Sequence, residues 1–172
     1  MKATLNSVCY SSLVLLALIC VSSNATAANA SGNYKGAGVF GDHPFELTIV
    51  DAYAYREADE NSDSKEATIV IVSDKPIDAA ALTAAPSHRD MEAVESFKKA
   101  NAGYVILKFH GTQLVAVTAA GAGGGESGIG GGLKASVKVN DGHRIEGHCC
   151  EVSKTLKNVS ANFDFALPVV AP

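Results

Sequence analysis

The architecture follows from one run of residues, Leu133-Lys134-Ala135-Ser136-Val137-Lys138-Val139-Asn140-Asp141-Gly142-His143-Arg144-Ile145-Glu146-Gly147-His148-Cys149-Cys150. Leu133, Ala135, Val137 and Val139 alternate with Lys134, Ser136 and Lys138. A period of two marks a half-buried strand. Asn140-Asp141-Gly142 then turns the chain. A two-residue Asp141-Gly142 loop sets Val139 opposite Arg144, and the apolar face meets Arg144, Glu146 and His148, which buries charge. A three-residue loop with Gly142 in the left-handed region sets Val139 against His143, Val137 against Ile145, Ala135 against Gly147 and Leu133 against Cys149. Register follows the buried face, so the three-residue loop is expected. It turns Cys149 into the core and leaves Cys150 facing solvent beside His148, with Glu146 on the same face.

The next strand, from Val159, is expected to run antiparallel to this one. Val159, Ala161, Phe163 and Phe165 alternate with Ser160, Asn162 and Asp164. Its outward residues then meet the previous strand's polar face, and His148, Cys150, Glu146, Asp164 and Asn162 form one patch.

Upstream, Phe45, Leu47 and Ile49 alternate with Glu46 and Thr48, a strand that runs on to Tyr53 or Tyr55. Residues 31–44 are Gly-rich and read as loop. Residues 56–66 are polar and acidic, a solvated connection. Thr68-Ile69-Val70-Ile71-Val72 is β-branched throughout and reads as a strand buried on both faces. Asp74-Lys75-Pro76 opens a short helix through Leu82, and Ser87-His88-Arg89-Asp90 has capping-box spacing before Met91, Val94 and Phe97. Asn101-Ala102-Gly103 stops that helix. Val105, Leu107 and Phe109 mark a further strand, His110-Gly111-Thr112 a turn, and Leu114 to Ala119 its return. The sum is a mainly β domain, an antiparallel β-sandwich or barrel of about seven strands, with a helical insertion over residues 76–100.

The chain has 172 residues, with 14 Lys and Arg against 18 Asp and Glu. That length suits one domain. The acidic balance leaves no footprint for nucleic acid, and the absence of Trp argues against a base-stacking platform. Met1-Lys2, the apolar Leu13–Ile19 run and the small-x-small site Ala25-Thr26-Ala27 read as a cleaved secretory signal over residues 1–27, with an alternative cut after residue 30. Residues 31–172 then form a single β-rich domain in the periplasm or outside the cell, with no membrane anchor after cleavage. Cleavage removes Cys9 and Cys20, so Cys149 and Cys150 remain in an oxidising compartment.

Imidazole and thiolate suit copper or zinc, so His148 and Cys150, with Glu146 and Asp164, are the candidate metal ligands. The ordinary reading of the same residues is one core Cys and one exposed Cys without a cofactor; a disulfide between the two neighbours makes a strained ring that a regular strand does not accommodate, and an exposed Cys150 is free to join two chains by a disulfide. The Gly-rich run from Gly121 to Gly132 lacks the Gly-Lys-Ser/Thr ending of a phosphate loop, and Gly125-Glu126-Ser127-Gly128-Ile129 misses the nucleophile-elbow pattern. Asp59-Glu60-Asn61-Ser62-Asp63 lacks the Gly and the closing Glu of a calcium loop. No catalytic residue follows from spacing alone. The expected function is therefore non-enzymatic: a binding, inhibitory or interaction protein for a protein or small ligand. A periplasmic copper- or zinc-binding protein is one alternative and a small secreted hydrolase the other.

Overall fold

The computed structural model describes residues 36–40, 43–85, 88–122, 127–129, 133–152 and 162–171. The leader, its cut sites, Ser87 and the Val159–Ala161 start of the last expected strand lie outside the described residues.

The chain builds a mainly β, nearly closed barrel-like sheet with two short helices. In chain order the strands are β1 Gly36–Phe40, β2 His43–Leu47, β3 Asp51–Ala58 and β4 Glu66–Ser73. The helices α1 Ala79–Ala84 and α2 Arg89–Ala100 follow, then β5 Tyr104–His110, β6 Gln113–Ala120, β7 Ser127–Ile129, β8 Leu133–Asn140, β9 Arg144–Val152 and β10 Phe163–Val170. β1 and β2 form a separate antiparallel hairpin. The other strands make one sheet in the order β7-β6-β5-β4-β3-β10-β9-β8, and β6 and β8 approach each other across the remaining seam.

Every pairing is antiparallel except β3 with β10, which is parallel at Val169↔Ala54 and Val170↔Tyr55. Strand count explains this exception. Apart from the three-residue β7, seven strands circle the barrel, and an odd number that alternates in direction leaves one neighbouring pair running the same way.

The barrel interior holds Ala52, Ala54, Val70, Val72, Val105, Leu107, Phe109, Ile145, Cys149, Phe163, Phe165 and Leu167, all buried. A second core lies on the outer wall, where Tyr53, Tyr55, Ile69, Ile71 and Tyr104 pack against Leu82, Ala93 and Phe97 of the helices. Phe97 stacks on Tyr104 with ring centroids 4.9 Å apart. β4 sits between the two cores, which is why its β-branched run is buried on both faces.

Several expectations are corrected in detail. The strand through Phe45 and Ile49 is broken at residues 48–50 into β2 and β3, and the Gly-rich stretch before it contains β1. α1 starts later than Pro76: Asp78 caps it, accepting from the Ala81 N–H at 3.0 Å. Asp74 instead accepts from the Gly103 N–H at 2.9 Å and ties the end of β4 to the start of β5. The α2 N-cap is His88, with no side-chain cap bond. α2 buries Arg89, Ala93 and Phe97 at four-residue spacing and leaves Met91 56% exposed. Asn101, in the left-handed region, ends it.

The β8–β9 register also departs from expectation. Gly142 does take a positive φ, +84°. However, Asp141 accepts from the His143 and Arg144 N–H groups, both at 2.9 Å, which tightens the turn. Asn140 rather than Val137 then faces Ile145, Val137 faces Gly147, and Ser136 faces His148. The ladder shifts twice, between Lys134 and Ser136 and between Val137 and Val139. These irregularities reconcile a tight turn with an inward face carrying Val137, Gly147 and Cys149. Cys149 is buried, as expected.

Candidate functional site

The outer wall carries two polar constellations. The first was anticipated in part. β10 lies on β9 with Asp164↔His148 and Ala166↔Glu146, and His148 Nδ1 is 3.0 Å from Asp164 Oδ1. The other two expected ligands are elsewhere. Glu146 accepts from Arg144 at 2.9 Å. Cys150 is only 6% exposed, packs with the barrel core and is linked to Cys149 as a vicinal disulfide across a cis peptide bond. Its expected solvent exposure is thus corrected. The cause is the ladder irregularity beside Cys149, which ends the simple in-out alternation of β9. The four proposed ligands His148, Cys150, Glu146 and Asp164 therefore do not converge. Among the described residues, no group of three or more His, Cys, Asp or Glu side chains is placed to hold a metal ion.

The second constellation was not anticipated. Asp59, at the end of β3, has a nearly buried carboxylate. Its Oδ2 lies 2.7 Å from Lys108 Nζ and 2.9 Å from His110 Nε2, and its Oδ1 accepts from the Asn61 N–H at 2.9 Å. Lys108 also reaches Glu57 at 3.1 Å. β3 and β5 are not neighbours; β4 runs between them. The residue between them at this level is Ala67, the register partner of Glu57. Its small side chain lets Lys108 and His110 meet Glu57 and Asp59 over the top of β4.

Electrostatics makes this cluster a clasp rather than a reactive centre. Hydrogen bonds from Lys108 and His110 hold the Asp59 carboxyl well below the usual carboxylate range. Burial works against the Lys108 charge, but the hydrogen bonds it donates to Asp59 and Glu57 outweigh it and raise the ammonium above its ordinary value. A lysine held protonated in this way is a poor nucleophile.

A groove of about 420 Å³ lies between α2 and the outer face of β4, β5 and β6, with Glu57 and Lys108 in its lining. Ile69, Ile106, Val94, Met91 and Ala116 give it an apolar lining, and Thr118 adds a hydroxyl. Asp90, Glu95 and Lys98 of α2 also line it. Lys98 is 3.6 Å from Glu95, and Lys108 is engaged by two carboxylates. Asp90 makes no ion pair among the described residues, so the lining keeps an excess of negative charge. α2 packs on the wall through Ala93 and Phe97, the latter stacked on Tyr104 of β5, and the groove runs beside it.

Arg89 fixes the helix that forms this wall. The side chain is 3% exposed; it donates to the carbonyls of Leu82 at 3.1 Å and Ala171 at 3.0 Å, and its guanidinium stands 5.3 Å from the Tyr55 ring centroid. Tyr55 itself is fully buried, its hydroxyl has no hydrogen-bond partner among the described residues, and burial pushes its ionisation far up.

The sequence did hold a signal for the missed cluster. Glu57 and Asp59 on one strand, and Lys108 and His110 on another, occupy alternate positions with opposite charge. Alternate positions share a face.

In comparisons with known proteins, no family model, curated protein or solved structure matches this chain.

Proposed function

We propose that this is an exported binding protein, and that the groove beside α2 is its recognition surface. The observation that carries the reading is the groove: about 420 Å³, with an apolar lining and an exposed methionine at its mouth. Its volume falls in the range of small-molecule sites, which run roughly 300–1,000 Å³. Methionine is the side chain that adapts best to varied apolar shapes. The charge surplus in the lining favours an amphipathic ligand with an apolar body and a cationic end near Asp90 and Glu95. Export rests on the leader-like residues 1–27 and agrees with a soluble partner or small ligand as the target, rather than nucleic acid.

Methyl and amide NMR titration tests the reading, with decyltrimethylammonium as the probe and decanoate as its anionic counterpart, both below micelle formation. The expected result is saturable shifts at Met91, Val94, Ile106 and Ala116 with the cation, and weaker ones with the anion. Shifts elsewhere, or none with either probe, would contradict it.

A further inference from the structure

We propose that Ser136, His148 and Asp164 form an acyl-transfer site on the barrel wall away from the groove. The three residues stand in one row across β8, β9 and β10, with Ser136 opposite His148 and His148 opposite Asp164. Directly opposed residues of an antiparallel pair have Cβ atoms about 4.5–5.5 Å apart and share a face. The row therefore presents a hydroxyl, an imidazole and a carboxylate side by side in the order of a nucleophile, its base and the group that orients the base. That constellation is recognised by geometry and not by sequence order. Asp164 already engages His148 Nδ1 at 3.0 Å, which leaves Nε2 free for the hydroxyl proton.

Two further features point to Ser136. The β8–β9 ladder is irregular on both sides of it, and such irregularities re-aim side chains and occur beside active sites. Gly147 lets its backbone come close: a Cβ there would lie 2.7 Å from the Ser136 carbonyl oxygen. Lys134 and Lys138, both exposed, flank Ser136 at alternate positions on the same strand. Their positive charge on this strand favours esters carrying an anionic group. The wall is open, so the substrate class is small, unhindered carboxylic esters.

The chemistry is self-contained. Ser136 Oγ adds to the ester carbonyl carbon as its proton passes to His148 Nε2. The tetrahedral adduct collapses, the C–O bond to the alcohol breaks, and the leaving alkoxide takes that proton. Water, giving its proton to the same nitrogen, then cleaves the acyl-serine to the carboxylic acid and restores the hydroxyl.

The experiment uses the mature protein, diisopropyl fluorophosphate and peptide mass spectrometry, with p-nitrophenyl hemisuccinate and acetate turnover alongside. Covalent label on Ser136 is expected. His148→Gln should slow labelling by about 100-fold or more, the usual scale of a positioned base, with an unchanged melting temperature. Ser136→Ala should abolish both label and turnover, and the hemisuccinate should outpace the acetate. Absence of label at Ser136, labelling that His148→Gln does not slow, or turnover that survives Ser136→Ala would each overturn the proposal. None of these outcomes bears on the groove, which lies over different strands.

Discussion

Gly147→Ala tests the register that places Ser136 beside His148, and the sign of its effect is the decisive quantity. In a regular strand, replacing Gly by Ala restricts the unfolded chain and stabilises the fold by about 0.4–1 kcal/mol. Here a Cβ would stand 2.7 Å from the Ser136 carbonyl oxygen and 2.8 Å from the tip of the Phe165 ring. Phe165 is itself 1% exposed and contacts Phe109 and Phe163, so it has little room to withdraw. The other obstacle is backbone, which moves only if β8 moves. Inserting a methyl group into such a space costs about 1–3 kcal/mol. Taken with the gain in the unfolded chain, the net is a loss of up to about 2.5 kcal/mol. For a domain of this size that lowers the melting temperature by up to roughly 8 °C. Urea unfolding followed by circular dichroism, with calorimetry for the midpoint, measures it. A stabilised Gly147→Ala would mean that the Ser136 carbonyl is not at that position, and the row across β8, β9 and β10 would go with it.

Other expectations follow from the same structure. Phe97→Ala should cost about 3–5 kcal/mol, because the ring is buried against Tyr104 in the outer core; a loss under 1 kcal/mol in urea unfolding would mean that α2 does not hold this wall. Arg89→Lys should lower stability by about 2–3 kcal/mol, since an ammonium cannot span the carbonyls of Leu82 and Ala171 as the guanidinium fork does; equal stability of the two proteins would contradict the clamp. Asp59 has its folded pKa depressed below the unfolded value, so its contribution is complete above the ordinary carboxylate range and fades as pH falls through and below that range. Asp59→Asn should therefore flatten the acid limb of the stability curve, and an unaltered limb would show that the clasp is not formed. Met91→Lys should abolish decyltrimethylammonium shifts in the groove without changing the melting temperature by more than about 2 °C, because exposed positions carry little stability.

The barrel was largely legible in the sequence because one face of each strand had to be buried. Val105, Leu107 and Phe109 announce their side of β5, and Thr68–Val72 announces a strand between two cores. What escaped was set by neighbours rather than by periodicity. The parallel closure of β10 on β3 is a consequence of strand count. Met91 looked like core at helical spacing, but the inward positions went to Arg89, Ala93 and Phe97, since a buried arginine with three carbonyls and a ring in reach packs as well as a hydrophobe. The Asp59–Lys108 contact needed a small residue, Ala67, on the intervening strand. The alignment of His148 with Asp164 was readable from alternation alone, whereas Ser136 was not: the expected three-residue loop places it against Glu146. Asp141 accepting two backbone N–H groups tightened the turn, and the ladder irregularities moved Ser136 to His148.

The arrangement of β8, β9 and β10 underlies both the closed side of the barrel and the row on its surface, and cross-strand NOEs on the isotope-labelled mature protein read it directly. The account predicts backbone NOEs from Ser136 to His148 and from His148 to Asp164. NOEs from Ser136 to Glu146 instead would contradict it.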